Sequence, residues 1–177
     1  MRVYLPATFN TLTALHRTRV LAPPQTAFAV TPALREWYAE GDDEELEYAA
    51  TAEAARAALR LLDSDPTAPR RRVVLAADVE DAAVDVRDDL DRGVVRIATP
   101  VQLAQVAAVL ADDTDAESTV GRAAACIDRA DLDEQDAQDA VDDAEGFELS
   151  WYASQEIPDL LASAGSSRGP GDPDQEP

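Results

Sequence analysis

Carboxylates supply most of the reactive groups in this chain: 36 Asp and Glu among 177 residues, against one histidine and one cysteine. His16 alone cannot build a multi-histidine metal site. A Ser-His-Asp triad would have to draw on it from an N-terminal helical pattern, so no triad is expected. Cys126 excludes an internal disulfide and reads as a small core residue of an Ala-rich helix rather than a reactive thiol. Asp113, Asp115 and Glu117 alternate as calcium ligands do. Ser118 stands where such a loop needs glycine, however, and no acid follows at the twelfth position. These acids read as a helix N-terminus, and no metal or cofactor is expected. The one glycine cluster, Gly165–Gly171, has no strand before it to make a phosphate cradle.

Two aromatic pairs, Trp37-Tyr38 and Trp151-Tyr152, hold four of the nine aromatic residues. Adjacent helical residues point about 100° apart. Trp37 and Trp151 are therefore expected to anchor core, and Tyr38 and Tyr152 to reach a groove. A ligand pocket between two helices bearing these pairs would collect Arg35, Glu36, Tyr38, Glu47, Tyr48, Tyr152, Gln155 and Glu156. That pocket carries the alternative reading of a small enzyme or ligand binder. Arg70-Arg71-Arg72, the only cationic run, is expected to cover a strand end and balance nearby acids.

The net charge is −21, and every one of the 15 basic residues is arginine. Residues 1–77 hold 10 acids and 9 Arg, residues 78–177 hold 26 acids and 6 Arg. Nine acids and no basic residue lie between Asp131 and Glu148. Asp133, Glu134, Asp136, Asp139, Asp142, Asp143 and Glu145 are the candidate interaction face. An acidic face steers cationic partners by long-range attraction. The leading expectation is thus a non-enzymatic binding module whose partner is a basic protein. A nucleic-acid mimic and plain solubility are the alternatives. Direct nucleic-acid binding is not expected, because phosphates need a cationic surface. No uncharged run reaches the ~18–20 apolar residues of a membrane span. Pro6, Thr8 and Asn10 interrupt any signal-peptide core, so a cytoplasmic protein is expected. Oligomeric state is left open.

The positioning elements follow from periodicity. Strands are expected at 2–7, 26–30, 72–77 and 94–98, the third in a sheet interior because its apolar run is continuous. Thr8 or Asn10 caps a helix with Leu12 and Leu15, and Thr31-Pro32 opens a short second helix. Asp42 with Glu45 forms a capping box for a helix to Leu62, whose expected buried line is Leu46, Ala50, Ala54, Ala57 and Leu61. Residues 78–93 read as loop; 99–111 are open between a helix begun by Thr99-Pro100 and a buried strand at 106–110, and the strand is favoured. A helix is expected to end at Arg129, and a further one to run from Asp131 to Trp151. Together these give an α+β fold of about five strands, two-layer, with helices on one face. One domain is expected over 1–162, followed by a disordered acidic tail at 163–177.

Several strings also resemble a family of small actinobacterial proteins of unknown function. They are MRVYLPAT (1–8), VTPALREWYAEG (30–41), EELEYAA (44–50), RRRVVLAADV (70–79) and ELSWYASQEIPDLL (148–161). The resemblance covers most of 1–161. It implies one compact bacterial cytosolic domain and brings no catalytic residue with it.

Overall fold

The computed structural model describes residues 1–38 and 41–166. The chain opens in β1 (Arg2–Ala7), where Val3, Leu5 and Ala7 face one side and Tyr4 the other. The Thr8 hydroxyl caps α1 (Phe9–Thr18) by accepting the Thr11 N–H at 3.1 Å. There follow β2 (Val20–Leu21), β3 (Gln25–Phe28), α2 (Pro32–Trp37) and α3 (Asp43–Ser64). The α3 capping box is present: Glu45 N–H donates to Asp42 Oδ1 at 2.9 Å, and Asp42 N–H donates to Glu45 Oε2 at 3.2 Å. Next come β4 (Val73–Asp78), β5 (Val84–Val86), β6 (Val94–Ile97), β7 (Val101–Gln102) and β8 (Val106–Ala111). The described chain closes with α4 (Glu117–Ala130), α5 (Gln135–Glu145), β9 (Ser150–Ala153) and α6 (Ile157–Ser166).

The main sheet has seven strands in the order β5-β6-β3-β1-β4-β8-β9, with every neighbouring pair antiparallel. β2 and β7 form a separate two-stranded pair. The fold is α+β as expected, but the count of about five strands is too low. One added strand, β5, comes from the stretch read as loop. Its three residues are too few to show periodicity, yet Asp85 lies opposite Arg96, a favourable cross-strand charge pair. The other, β9, replaces the end of the helix expected to reach Trp151. α5 stops at Gly146, a poor helix former. Arg72 Nη2 then holds the Phe147 carbonyl at 2.9 Å, and Trp151-Tyr152 pairs with Leu110-Val109. Strand rather than helix holds for 106–111.

Helices lie against both faces of the sheet, not the single face expected. β4 is buried on both sides, so both need cover. Val73, Leu75 and Ala77 pack with α1 and α6, through Leu12, Leu15, Ile157 and Leu160. Val74 and Ala76 pack with α3, through Leu46, Ala50 and Ala54. The buried line of α3 then swings to Ala55, Ala58, Leu59 and Leu62, leaving Leu61 exposed and Ala57 half-buried, contrary to expectation. Its second half faces α4 and α5 in a separate cluster with Val120, Ile127 and Val141. Ser163 to Ser166 close α6, so the expected tail cannot begin at 163; the rest of that segment lies outside the described residues.

Two of the three arginines expected at a strand end are buried. Arg72, 2 % exposed, forms a bidentate pair with Asp112, which is fully buried. Arg71 Nε donates to the Asp112 carbonyl at 2.7 Å, and its guanidinium lies 4.5 Å from the Phe9 ring centre. Only Arg70 stays partly exposed, holding the Leu62 and Asp65 carbonyls at the end of α3.

Candidate functional site

A groove of about 1090 Å³ lies between α2, the first half of α3 and residues 91–94. Phe28, Leu34, Ala50 and Val94 belong both to its lining and to the core beneath. Thr31 ties α2 to the 91–93 loop. The buried hydroxyl accepts the Leu34 N–H at 3.1 Å, capping α2, and donates to the Arg92 carbonyl. Ala29 N–H donates to the Gly93 carbonyl at 2.9 Å and pins the same loop. On the other side, Gly41 N–H donates to the Tyr38 carbonyl at 2.8 Å. A Cβ on Gly41 would lie 3.1 Å from the Tyr38 Cβ, so glycine keeps Tyr38 close to the start of α3.

Three aromatic rings line this groove and remain open to solvent: Trp37 at 62 %, Tyr38 at 45 % and Tyr48 at 72 % exposure. Five carboxylates share the lining, on Asp42, Glu44, Glu45, Glu53 and Asp91. None of them has an ion-pair partner among the described residues. The single lining cation, Arg92, is stacked on Trp37 with its Cζ 3.7 Å from the ring centre. Glu53 is pushed above the usual carboxylate range, chiefly by loss of solvation around its carboxyl and then by the charge of Asp91; Glu145 adds to the rise, while Arg56 and Arg60 oppose it. A nearby cation would relieve that cost.

The candidate ligand residues do not converge. Tyr38 and Tyr48 line the groove, while Arg35 and Glu47 line a separate pocket of about 220 Å³ with Arg2, Tyr4 and Asp43. Arg35 is ion-paired to Asp43 at 2.7 Å, and Glu36 is exposed and lines neither cavity. Tyr152, Gln155 and Glu156 lie on and just after β9, at the far edge of the sheet. β3 and β9 are four strand spacings apart, ~19 Å at ~4.8 Å per strand. The expected pocket between two aromatic helices is therefore not formed. Trp37 and Trp151, expected in the core, are both exposed, Trp151 at 63 % on an edge strand. The Tyr152 hydroxyl donates to Asp113 Oδ1 at 3.3 Å, and the Glu156 carboxylate accepts the Ala153 N–H at 2.7 Å.

The acidic face from 131 to 148 is not free of cations. Arg60 pairs with Asp131 at 2.7 Å and Arg56 with Glu145 at 3.1 Å, both from α3. From α4, Arg129 holds Glu134 at 2.7 Å and Asp136 at 2.9 Å, and Arg122 lies 3.8 Å from Asp143. The Arg129 hydrogen bond holds Asp136 below the usual carboxylate range. Among the described residues Asp133, Asp139, Asp142 and Glu148 have no such partner. Reading α5 by itself missed these arginines, which packing brings from other helices. The groove was missed for the converse reason: Glu53 and Asp91 are 38 positions apart and join only when β6 pairs with β3.

Tyr4, in the smaller pocket, is 5 % exposed and pushed up to about 12, first by burial and then by the Glu47 charge and hydrogen bond. The folded state thus favours the neutral phenol. Its contribution is fully present below pH ~10, the unfolded value, and is lost as pH rises to about 12. Absorbance titration is expected to show two of the four tyrosines, Tyr4 and Tyr152, ionising late, with Tyr4 the later. Over this window Tyr4→Phe should remove about 1 kcal/mol per pH unit of the stability loss. Identical alkaline denaturation of both proteins would contradict the assignment.

Among the described residues no cluster of His, Cys, Asp or Glu is arranged to hold a metal, and no helix is long and apolar enough to cross a membrane. No curated protein and no solved structure matches this chain. A family profile does match, over residues 1–161, which takes in both cavities, the sheet and the first half of α6: the chain belongs to DUF6912, a family of unknown function.

Proposed function

We propose that this chain is a non-enzymatic binding module that takes a cationic segment of a partner protein into the groove of Trp37, Tyr38 and Tyr48. The observation that carries this reading is the contrast between two acidic surfaces. Among the described residues the groove presents five carboxylates without ion-pair partners beside three exposed rings, whereas five of the nine acids from 131 to 148 are already paired with arginine. Carboxylates beside open aromatic faces suit ammonium and guanidinium groups, through ion pairing and cation–π attraction. A basic partner was also the expectation from charge alone; this proposal seats it in the groove rather than on α5. A cytoplasmic setting belongs to the same proposal.

A fluorescein-labelled Arg-Gly repeat peptide is a suitable probe. Trp37→Ala is expected to weaken its binding about fivefold to tenfold, measured by fluorescence anisotropy, because an exposed stacking ring is worth ~1 kcal/mol. Unchanged affinity in Trp37→Ala would remove the groove from the site.

A further inference from the structure

Resting on that reading, we infer that the group the groove receives is a guanidinium, from an arginine of the partner segment, and that it enters by displacing Arg92 from the Trp37 ring.

Arg92 shows what the ring accepts. Its Cζ sits 3.7 Å from the Trp37 ring centre, the distance of a flat plate on an indole face. Among the described residues the Arg92 guanidinium has no ion-pair partner, although five carboxylates line the same groove. Its backbone is anchored: the carbonyl accepts the Thr31 hydroxyl, and the N–H donates to Asp91 Oδ1 at 2.5 Å. The side chain is exposed and stacks on Trp37, and among the described residues it has no hydrogen bond or ion pair. An incoming arginine would take over the stack and also reach carboxylates that Arg92 leaves unpaired. Glu53 gains from it, since the charges of Asp91 and Glu145 disfavour its ionised form. Lysine would pair with the carboxylates as a point charge but would give up the planar stack and the forked donors. Arg92 is therefore an internal competitor, occupying the ring until a better-paired guanidinium replaces it.

The test measures Kd for Arg-Gly and Lys-Gly repeat peptides of equal length and charge. The partners are the wild-type protein, Arg92→Ala and Arg92→Lys. The wild type is expected to favour the Arg-Gly peptide by threefold or more. Arg92→Ala should tighten Arg-Gly binding about threefold to tenfold. Arg92→Lys keeps the charge but weakens the stack, and should still tighten Arg-Gly binding about twofold while leaving Lys-Gly binding unchanged. Equal affinity for the two peptides overturns the guanidinium, and weaker Arg-Gly binding in Arg92→Ala overturns the displacement. A gain in Arg92→Ala that is the same for both peptides and absent in Arg92→Lys reduces Arg92 to bulk charge, which also overturns it. In each of these cases the cationic groove stands if Trp37→Ala still loses binding. Failure of the wild type to bind either peptide overturns both proposals.

Discussion

Asp112→Ala is expected to lower folding stability by about 3–5 kcal/mol, the usual cost of stranding one member of a buried ion pair. The Asp112 carboxylate is fully buried and accepts three donors from Arg72: Nε at 2.9 Å, Nη2 at 2.8 Å and the backbone N–H at 2.7 Å. Without it the Arg72 guanidinium, 2 % exposed, keeps only the Phe147 carbonyl. Arginine cannot shed its proton to escape. A domain of this size has ~5–15 kcal/mol in total, so the loss is a large share. Urea denaturation should show a lower midpoint with an unchanged slope. Arg72→Met combined with Asp112→Leu removes both charges and should recover most of the loss, less ~1–2 kcal/mol for the orphaned Arg72 N–H. A wild-type midpoint in Asp112→Ala, or a double variant weaker than the single, would contradict this account.

The pair also explains where sequence reasoning was sufficient and where it failed. Local signals were legible: the Asp42–Glu45 capping box, Thr31 ahead of Pro32, and the apolar run of β4 in the sheet interior. Each depends on residues within a few positions of one another. What escaped depends on partners far along the chain. Arg72 looks like a surface cation until Asp112, 40 residues on, is placed beside it. Trp151 fits a helical spacing from Ala137 onward, and only the capture of the Phe147 carbonyl and the pairing with β8 make it a strand residue. The acids of α5 look unopposed until Arg56, Arg60, Arg122 and Arg129 arrive from α3 and α4. Of the candidate ligand residues, only Tyr38 and Tyr48 were brought to the groove. Glu53, Asp91 and Arg92 carried no motif, since their meaning lies in being neighbours across α3 and the 91–93 loop.

Neutralising two groove acids is expected to weaken binding of a cationic probe about tenfold at low ionic strength. Neutralising two acids of α5 should change it less than twofold. Glu44→Gln with Glu53→Gln removes two carboxylates that line the groove and have no ion-pair partner among the described residues. Asp139→Asn with Asp142→Asn removes the same number of charges from exposed positions on α5. Because the net change is identical, long-range attraction by a chain of charge −21 falls equally in both. What differs is contact: an ion pair at a partly exposed site is worth ~0.5–1 kcal/mol, so two give roughly tenfold. The contrast should shrink between low and physiological salt, as screening over ~8–10 Å removes the weaker terms. The decisive measurement is the Kd of the Arg-Gly repeat peptide for these two double variants side by side. A tenfold loss confined to Glu44→Gln/Glu53→Gln is the result predicted here. Equal losses in the two variants, or a larger one in Asp139→Asn/Asp142→Asn, would contradict a groove site and return recognition to the charge of α5.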